Sequence, residues 1–350
     1  MKRIKVLCLW VGGVMAAGCM PSNPYLANSA EMTRLEQRAL EALKRGAGFD
    51  TLASVRAQAI ESLQDEAPRR GLPWIRTGLT DEHPAVRFAA CMALGTLKDE
   101  GSRQALERLL KDDNASVRAA AIFGLHRLGD ASHTAELASL LRDHPEAAVR
   151  RNAALILGRL GEPGAVALLA GVVNSKDAGL HIQALEAMVL LGNPEATQQM
   201  VFVSQSGNGP EEVLALNALA KKRDARFKKL MQRKLAESPY RETRLAAARG
   251  LGELGSADGL REALAGLRFD KPKASIKDDS PENQRMRIRQ MAAAALGAIG
   301  DPEALPALAD RLEDNSDARV QVATARAILR IIRQWERQTS PFSGVARSAP

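Results

Sequence analysis

The sequence predicts an all-α protein built as a solenoid of repeated helix pairs. The first observation is a phrase, clearest as ASVRAAAIFGLHRLGD at residues 115–130, that recurs about nine times along the 350-residue chain. The second is the composition, in which 45% of residues are hydrophobic but only 3% are aromatic. Burial must therefore rest mainly on Ala, Leu, Val and Ile, which suits closely packed helices better than a β-sandwich.

Each repeat begins with an amphipathic first helix. We number every repeat from the residue that precedes its Arg in the clearest copies, and successive positions 0 are 31 or 32 residues apart except for one interval of 45. Positions 0, 4, 8 and 11 fall within about 80° of a helix circumference, so each first helix has one buried stripe. Positions 0 are Val55, Val86, Val117, Val149, Leu180, Glu211, Thr243, Ile288 and Val320.

The end of the first helix is marked by position 12. In five repeats this position is a glycine, which accepts the positive φ that ends a helix: Gly129, Gly161, Gly192, Gly255 and Gly300. A second amphipathic segment then follows, so that one repeat encodes helix, turn, helix and short loop. The predicted second helices are Gln104–Leu110, Ala135–Leu141, Ala165–Val173, Glu195–Val203, Arg226–Leu235, Leu260–Leu267 and Leu305–Leu312.

The repeats resemble a known family. The phrases HPAVRFAACMALGTL, EAAVRRNAALILGRLGEP and RIRQMAAAALGAIGDPEALPALADRL are similar to HEAT repeats of the short kind first associated with phycobilisome lyases. The resemblance covers about residues 50–335 and implies a right-handed α-solenoid of about nine repeats, which we assign to 31–335. It also implies that the first helices lie on the convex side and the second helices line the concave side. An extra helix at Met32–Lys44 is expected to cap the beginning of the array.

The N-terminus has the three parts of an export signal. Basic residues open it, an apolar stretch of about ten residues follows, and small residues precede Cys19. The end of this segment, Ala16-Ala17-Gly18-Cys19, resembles the bacterial lipoprotein box, although Ala16 stands where that family more often has Leu. We therefore expect a signal peptide at 1–18, lipidation of Cys19 and a polar tether at 19–30. An ordinary secretory signal with a chance cysteine is the alternative.

The same resemblance bears on location. Met20 follows the cysteine, which in well-known Gram-negative lipoproteins favours the outer membrane, so the expected location is the cell envelope, lipid-anchored and facing the periplasm. Loss of the signal lowers the net charge from +8 to +5, a weak preference for acidic partners. Removal of Cys8 and acylation of Cys19 would leave Cys91 as the one thiol of the folded part, where it is expected to be buried and structural.

An arginine at position 1 recurs in six repeats. One interpretation is a basic stripe for an anionic ligand, and the other is a ladder in which these arginines pair with Asp81, Asp112 and Asp143 and connect neighbouring repeats. We favour the ladder, because a feature that repeats with the helices usually belongs to the architecture. The arginines are Arg56, Arg87, Arg118, Arg150, Arg244 and Arg289.

The sixth repeat departs most from the others. Its segment 221–234 reads KKRDARFKKLMQRK and holds eight cations against the single acid Asp224. It is predicted to be either a solvated basic helix face or a docking patch for an acidic protein surface, an anionic glycan or a lipid headgroup. The residues of this basic cluster are Lys221, Lys222, Arg223, Arg226, Lys228, Lys229, Arg233 and Lys234.

Three further segments stand apart. The second helices of repeats four and five, 163–173 and 194–205, carry almost no charge and are predicted either to be well buried or to offer apolar surface to a partner helix. An insertion at 268–287 contains Pro272 and Pro281 and is expected to be a surface loop. The tail at 336–350 is expected to be disordered.

The sequence carries no recognisable catalytic motif. The five histidines have no metal-site spacing, and HExxH, CxxC, nucleophile-elbow and phosphate-loop patterns are absent. Deoxyhypusine hydroxylase is a HEAT-repeat enzyme whose iron ligands come from His-Glu dipeptides, and this chain has none. We therefore expect no enzyme activity, no catalytic residues, no metal and no cofactor.

The combined hypothesis is a lipid-anchored envelope scaffold that binds a protein partner through its concave surface and basic sixth repeat. The alternative is an enzyme or an accessory lyase similar to bilin lyases, with a small-ligand pocket that the sequence does not reveal. A long open groove would favour the scaffold, and a ligand-sized cavity with convergent polar groups would favour the alternative. Nucleic-acid binding is not expected of a lipid-anchored envelope protein.

Overall fold

The computed structural model describes residues 23–48, 50–162, 164–272, 279–314 and 316–339. This part of the chain forms nineteen α-helices, joined by short loops and four 3-10 turns. In order they are α1 Pro24–Ala27, α2 Ser29–Gly46, α3 Ala53–Glu66, α4 Pro68–Thr77, α5 Pro84–Leu97, α6 Arg103–Leu109, α7 Ala115–Arg127, α8 Glu136–Asp143, α9 Ala147–Leu160, α10 Ala165–Ala170, α11 Ala178–Leu190, α12 Pro194–Val203, α13 Gly209–Lys221, α14 Lys228–Glu237, α15 Arg241–Glu253, α16 Leu260–Leu267, α17 Pro281–Ile299, α18 Leu305–Glu313 and α19 Ala318–Thr339.

The predicted all-α solenoid of helix pairs is confirmed. From α3 to α19 the odd-numbered helices are the first helices of the repeats, and each contains its position 0. The even-numbered helices are the second helices, close to the predicted bounds; α10 ends three residues early at Ala170, and α14 is preceded by a 3-10 turn at 225–227. The buried stripe is confirmed as well, since residues such as Val117, Ala121 and Leu125 are fully buried.

The turns after the first helices have the expected backbone. The five glycines at position 12 all have positive φ, from 75° at Gly300 to 94° at Gly129. Four repeats lack the glycine, and in two of them Lys98 and Arg223 adopt the same left-handed conformation, with φ of 52° and 50°. Residues other than Gly and Asn are strained in this region, because their Cβ atom comes too close to the main chain. The array therefore holds Lys98 and Arg223 in a conformation that they disfavour in isolation.

The solenoid closes on itself. The last helix, α19, packs against both α2 and α3 at the other end of the chain, so that the first helices form a continuous ring. Polar contacts cross this closure: the side-chain amide of Asn23 donates to the carbonyl of Pro302 at 2.8 Å, and Arg38 forms an ion pair with Glu313. Helix α2 is therefore not an end cap as predicted, but the second-layer helix that covers α19.

The expected sidedness of the array is wrong. Two cavities at the centre of the ring are lined only by residues of first helices, among the residues that the structure describes. The first helices therefore form the inner layer and the second helices the outer one. We call the space that the first helices enclose the lumen.

Small residues explain why the first helices occupy the inner layer. A Cβ added at Gly158 in α9 would lie 2.7 Å from the Cβ of Ala187 in α11, and one added at Gly95 in α5 would lie 2.8 Å from the Cα of Gly124 in α7. A ring has a shorter inner than outer circumference, so its inner helices must approach one another more closely. Only faces of Gly and Ala permit that approach without steric overlap.

The arginine ladder is confirmed in the first repeats. Arg56 donates two hydrogen bonds to the carboxylate of Asp81, both at 2.8 Å, and Arg87 binds Asp112 in the same bidentate way at 2.7 and 2.9 Å. Arg118 departs from the pattern, because it donates to the carbonyls of Asp112 and Asp113 and not to Asp143. Arg56 is only 3% exposed, which makes a solvent-facing basic stripe untenable there.

The ends of the predicted segments differ from the structure. Helices α1 and α2 begin inside the tether expected at 19–30, because Asn23 and Asn28 cap them with their side chains. Helix α17 takes residues 281–287 out of the expected insertion, and α19 extends four residues into the expected tail, to Thr339. The signal peptide at 1–18, Cys19, and residues 340–350 lie outside the described residues.

Candidate functional site

The lumen contains a ligand-sized chamber. A cavity of about 600 Å³ is lined by side chains from seven first helices of the described chain, α3, α5, α7, α9, α13, α15 and α19. A second cavity of about 250 Å³ adjoins it, and the two share Arg249 and Arg326. The lining of the larger cavity consists of Glu61, Gln64, Asp65, Thr96, Phe123, Arg127, Arg159, Lys221, Arg249 and Arg326.

The positions that face the lumen follow from helix geometry. Residues at positions 6 and 10 of a first helix lie on one side of it and away from the buried stripe at positions 0, 4 and 8. Position 6 supplies Glu61, Arg249 and Arg326, and position 10 supplies Arg127 and Arg159. All first helices run in the same direction around the ring, so side chains at equal positions reach the lumen at the same height.

Several of these charges are paired. Arg326 in α19 forms an ion pair with Asp65 in α3, and Lys221 in α13 forms one with Glu186 in α11. Arg330, which lines the smaller cavity, lies 2.8 Å from Glu253. Burial disfavours ionisation of Glu253, but attraction and hydrogen bonds from Arg330 and Arg223 outweigh it and lower the pKa of this carboxyl. The first two pairs link neighbouring helices of the inner layer, and the third links α19 to α15 on the far side of α17.

Other charges of the larger cavity are unpaired. Arg127, Arg159 and Arg249 form no hydrogen bond or ion pair with any described residue, and neither does Glu61. Water reaches the Glu61 side chain, but the surrounding protein weakens its hydration. This loss of hydration raises the pKa of Glu61, and the positive charges of Arg159 and Arg326 only partly oppose the increase. Loss of hydration also lowers the pKa of Arg249, and the nearby charge of Arg326 acts in the same direction.

The smaller cavity is less charged. Besides the three arginines at 249, 326 and 330, its wall combines apolar side chains with three amides, Gln58, Asn217 and Gln290. Gln290 donates to the side-chain oxygen of Gln58 at 3.3 Å, whereas the side-chain oxygen of Asn217 is buried and accepts no hydrogen bond. A buried oxygen without a donor is costly unless a water or a ligand supplies one.

The structure divides the predicted basic cluster of the sixth repeat. Lys221 points into the lumen, as described above. Arg223 lies 3.0 Å from Glu253, Arg226 pairs with Asp224 at 2.7 Å, and Lys234 pairs with the buried carboxylate of Glu212. These four cations therefore have local structural partners, and they do not form one continuous patch.

The remaining cations of the cluster lie in or just before the outer helix α14. Arg233 donates to the side-chain oxygen of Gln205 at 2.7 Å. Lys222, Lys228 and Lys229 form no ion pair with the described residues, and Lys228 and Lys229 are exposed in the first turn of α14. The positive end of a helix dipole disfavours cations at that place, so they do not serve to stabilise the helix.

The uncharged second helices, α10 and α12, lie in the outer layer. Neither is deeply buried: Phe202 of α12 is 78% exposed, and Val166 and Leu168 of α10 are partly exposed. Since these helices are outside the ring, they line no groove. The apolar surface that the sequence predicted for a partner is present on the outer face, next to the repeat that carries Lys228 and Lys229.

The remaining expectations concern thiols, metals and membranes. Cys91 is fully buried and unpaired, and burial raises its pKa far above the usual value of a thiol, as expected of a structural residue. Within the described ranges no group of His, Cys, Asp and Glu side chains could hold a metal ion. A helix long and apolar enough to cross a bilayer is also missing from those ranges.

Sequence reasoning missed the lumen charges. It did not single out Glu61, Arg159, Arg249 or Arg326. The usable signal was the series of polar residues at positions 6 and 10 of different repeats. That series identifies a shared site only when the array closes, because in an open solenoid these side chains would lie far apart on a solvated face.

Comparison with known proteins supports the fold. A family model for HEAT repeats matches residues 36–126, 134–220 and 233–328. No match to a curated protein was found.

Among solved structures, the chain is similar to the complex of CpcE and CpcF of phycocyanin lyase from Nostoc, with 20% identity, a TM-score of 0.42 and coverage of 63% of this chain and 90% of that one. It is also similar to human deoxyhypusine hydroxylase in complex with glycerol, with 16% identity, a TM-score of 0.37 and coverage of 88% and 100%. Since the family model extends over most of the chain, this protein belongs to the HEAT-repeat family.

Proposed function

We propose that this protein is a lipid-anchored scaffold of the bacterial cell envelope that binds an acidic protein partner on the outer face of its fifth and sixth repeats. The HEAT-repeat fold supports a role in protein interaction, because such arrays present extended, preorganised surfaces. The location rests on the sequence, where an export signal ends in Ala-Gly-Cys at Cys19. The interaction face replaces the concave surface that the sequence suggested.

The single observation that carries the partner site is the pair of exposed lysines at the start of α14. Lys228 and Lys229 form no close ion pair with the described residues, although Lys228 attracts Asp258 from farther away, and the helix dipole opposes both lysines. Uncompensated charge of this kind attracts an opposite charge on a partner and accelerates association.

An apolar neighbour adds to this face. Phe202 in α12 is 78% exposed, and the hydrogen bond from Arg233 to Gln205 places the end of α12 beside α14. Exposed aromatic side chains are frequent anchors in protein interfaces, where a ring of polar contacts surrounds them. The face therefore offers one aromatic anchor next to two free cations.

The partner site is tested by crosslinking the tagged protein in its native envelope and identifying what copurifies. The variant Lys228→Glu/Lys229→Glu is compared with wild type, and Lys111→Glu/Arg261→Glu, which changes two exposed cations elsewhere, is the matched control. We expect one dominant partner that the first variant loses and the control retains. Equal recovery of that partner by both variants would rule out this face.

The anchor needs a separate test. Cys19→Ser should move the protein from the membrane fraction to the soluble fraction, because a thioether-linked lipid is the expected attachment. Unchanged recovery with the membrane would reject lipidation at this residue. The lysine variants should remain in the membrane fraction, which keeps the two parts of the proposal distinct.

A second candidate function is supported by the lumen. A chamber of about 600 Å³ with convergent polar side chains has the size of a small-molecule site. It favours a ligand-dependent role, which includes an enzyme or an accessory lyase. If envelope crosslinking yields no specific partner, this candidate takes precedence.

A further inference from the structure

The lumen holds three guanidinium groups that form no close ion pair with any described residue. Arg127, Arg159 and Arg249 come from α7, α9 and α15, yet they line the same cavity of about 600 Å³. In that wall Arg326 and Lys221 have carboxylate partners, so the chain does pair cations where pairing serves the ring. The three arginines form no such pair among the described residues, although Glu61 attracts Arg159, and Glu253 and Asp65 attract Arg249, from farther away.

Stability of the ring does not account for these arginines. Like charges that line one cavity repel one another, and partial loss of hydration adds to the cost at Arg249. Other repeats place uncharged residues at the same positions, such as Thr96 at position 10 of the second repeat and Ala294 at position 6 of the eighth. Uncharged side chains at these positions are thus compatible with the packing of the inner layer.

Guanidinium chemistry indicates the kind of ligand. Its planar fork of donors matches the oxygens of a carboxylate or a phosphate, and such charge-assisted bonds are stronger than neutral ones. Three forks from different helices would hold an anion from several sides. The chamber is too small for a folded partner and large enough for a small organic molecule.

The two cavities also contain hydrogen-bond acceptors. Glu61 lines the same cavity without a partner, and the buried side-chain oxygen of Asn217 lies in the adjoining one. Acceptors of this kind require donors, which hydroxyl groups of a ligand would provide. Purely anionic groups would leave the buried oxygen of Asn217 without a donor, whereas water also reaches Glu61.

We propose that the lumen binds a small hydroxylated organic anion with two or more oxyanion groups, held by Arg127, Arg159 and Arg249. The oxyanions are carboxylates or phosphates, which share the bidentate geometry that arginine recognises. The site faces the interior of the ring, so it is independent of the partner-binding face on α12 and α14. This inference rests on the second candidate function, the ligand-dependent role, and names the class of ligand for it.

The test is isothermal titration calorimetry on the full folded chain with citrate and inorganic pyrophosphate as probes and glycerol as the uncharged control. Arg127→Met, Arg159→Met and Arg249→Met are compared with Arg261→Met, which removes an exposed arginine of the outer layer. We expect saturable binding of at least one probe, a loss of about tenfold or more in each lumen variant, and no change in Arg261→Met. Preference for citrate or for pyrophosphate distinguishes a carboxylate from a phosphate ligand.

A further variant tests whether the charge of Glu61 acts on the bound probe, while Arg261→Met controls for the change in net charge. Glu61→Gln removes a negative charge from the chamber and should tighten binding of the probe. The melting temperature of each lumen variant without probe should equal or exceed that of wild type. Absence of saturable binding of both probes, equal affinity in the lumen variants, or equal loss in Arg261→Met would each overturn the proposal.

Discussion

The guanidinium of Arg333, near the C-terminal end of the last helix, lies 2.6 Å from a carboxylate oxygen of Glu66 in the first repeat. Another nitrogen of the same group donates to the main-chain carbonyl of Asp65. Burial raises the pKa of Glu66, and the charge of Arg333 opposes that shift. One side chain thus joins the two ends of the array and partly offsets the cost of burying a carboxylate.

This contact predicts a large effect of Arg333→Met on stability. The variant leaves the almost fully buried carboxylate of Glu66 with the more distant Arg326, 3.9 Å away, and the attraction of Arg330. Removal of one partner of a buried pair commonly costs 3–5 kcal/mol, and because Arg333 is partly exposed we expect about 2 kcal/mol. Urea unfolding measures the change.

The control is Arg34→Met, which breaks the exposed pair with Glu31 and should cost less than about 0.5 kcal/mol. The double variant Arg333→Met/Glu66→Gln should recover part of the loss, because it removes the unpaired charge. If Arg333→Met is no more destabilising than Arg34→Met, the contact does not contribute to ring closure.

The lumen predicts an unusual pH dependence at Glu61. Its folded pKa is raised above the reference value of 4.5, so the fold disfavours the ionised carboxylate and its stability is reduced above the folded pKa. As pH falls from neutral towards 4.5, protonation removes that penalty. Asp65, Arg159, Lys221 and Arg326 also act on this group, and Asp65 is the one that raises its pKa further.

Glu61→Gln should therefore be more stable than wild type at neutral pH, and the difference should disappear at pH 4. Denaturant unfolding of both proteins at several pH values measures the difference between their free energies of unfolding. Other titrating groups contribute equally to both proteins, so their effects cancel in this difference. A wild type that is the more stable of the two at neutral pH would show that the charge of Glu61 serves the fold.

Close packing of the inner layer predicts a penalty for small increases in size. Gly158→Ala would place a Cβ 2.8 Å from the Cα of Ala187 in the next first helix. Alanine favours the helix by about 1 kcal/mol, but overpacking against a backbone costs typically 1–3 kcal/mol, so we expect a net loss of about 1 kcal/mol. Thermal unfolding tests this expectation.

Gly164→Ala is the matched control, because Gly164 has an ordinary negative φ and nothing within 4 Å of an added Cβ. It should be neutral or slightly stabilising. A stabilising Gly158→Ala would mean that the two helices can separate without loss, and that glycine is not what permits their contact.

The two left-handed residues at position 12 predict a simple stabilising change. Lys98→Gly removes the strain of a side chain at φ 52° in an exposed turn and should stabilise the fold by about 1 kcal/mol. The reverse change, Gly129→Ala at φ 94°, should destabilise by about the same amount. Melting temperatures that move in the same direction for both variants would contradict this interpretation.

Much of the local structure could be predicted from the sequence. The spacing of Val117, Ala121 and Leu125 identified a buried stripe, and Gly129 identified where its helix ends, because these features depend only on periodicity and backbone sterics. The pairing of Arg56 with Asp81 could also be predicted, because both residues recur at fixed positions of the repeat. The candidate site was not, since Arg127, Arg159 and Arg249 belong to distant repeats and share no local pattern.

The sequence by itself determined an array of helix pairs, their boundaries within a few residues, and the small residues of the first helices. Tertiary structure alone decided that the array closes, that the first helices face inward, and that three unpaired arginines meet in one chamber. The physical reason is that rotations between successive repeats add up. Each repeat contributes a small rotation, which is set by contacts such as that of Gly158 with Ala187. Ring closure depends on the sum of those rotations over all repeats, and no single repeat encodes that sum.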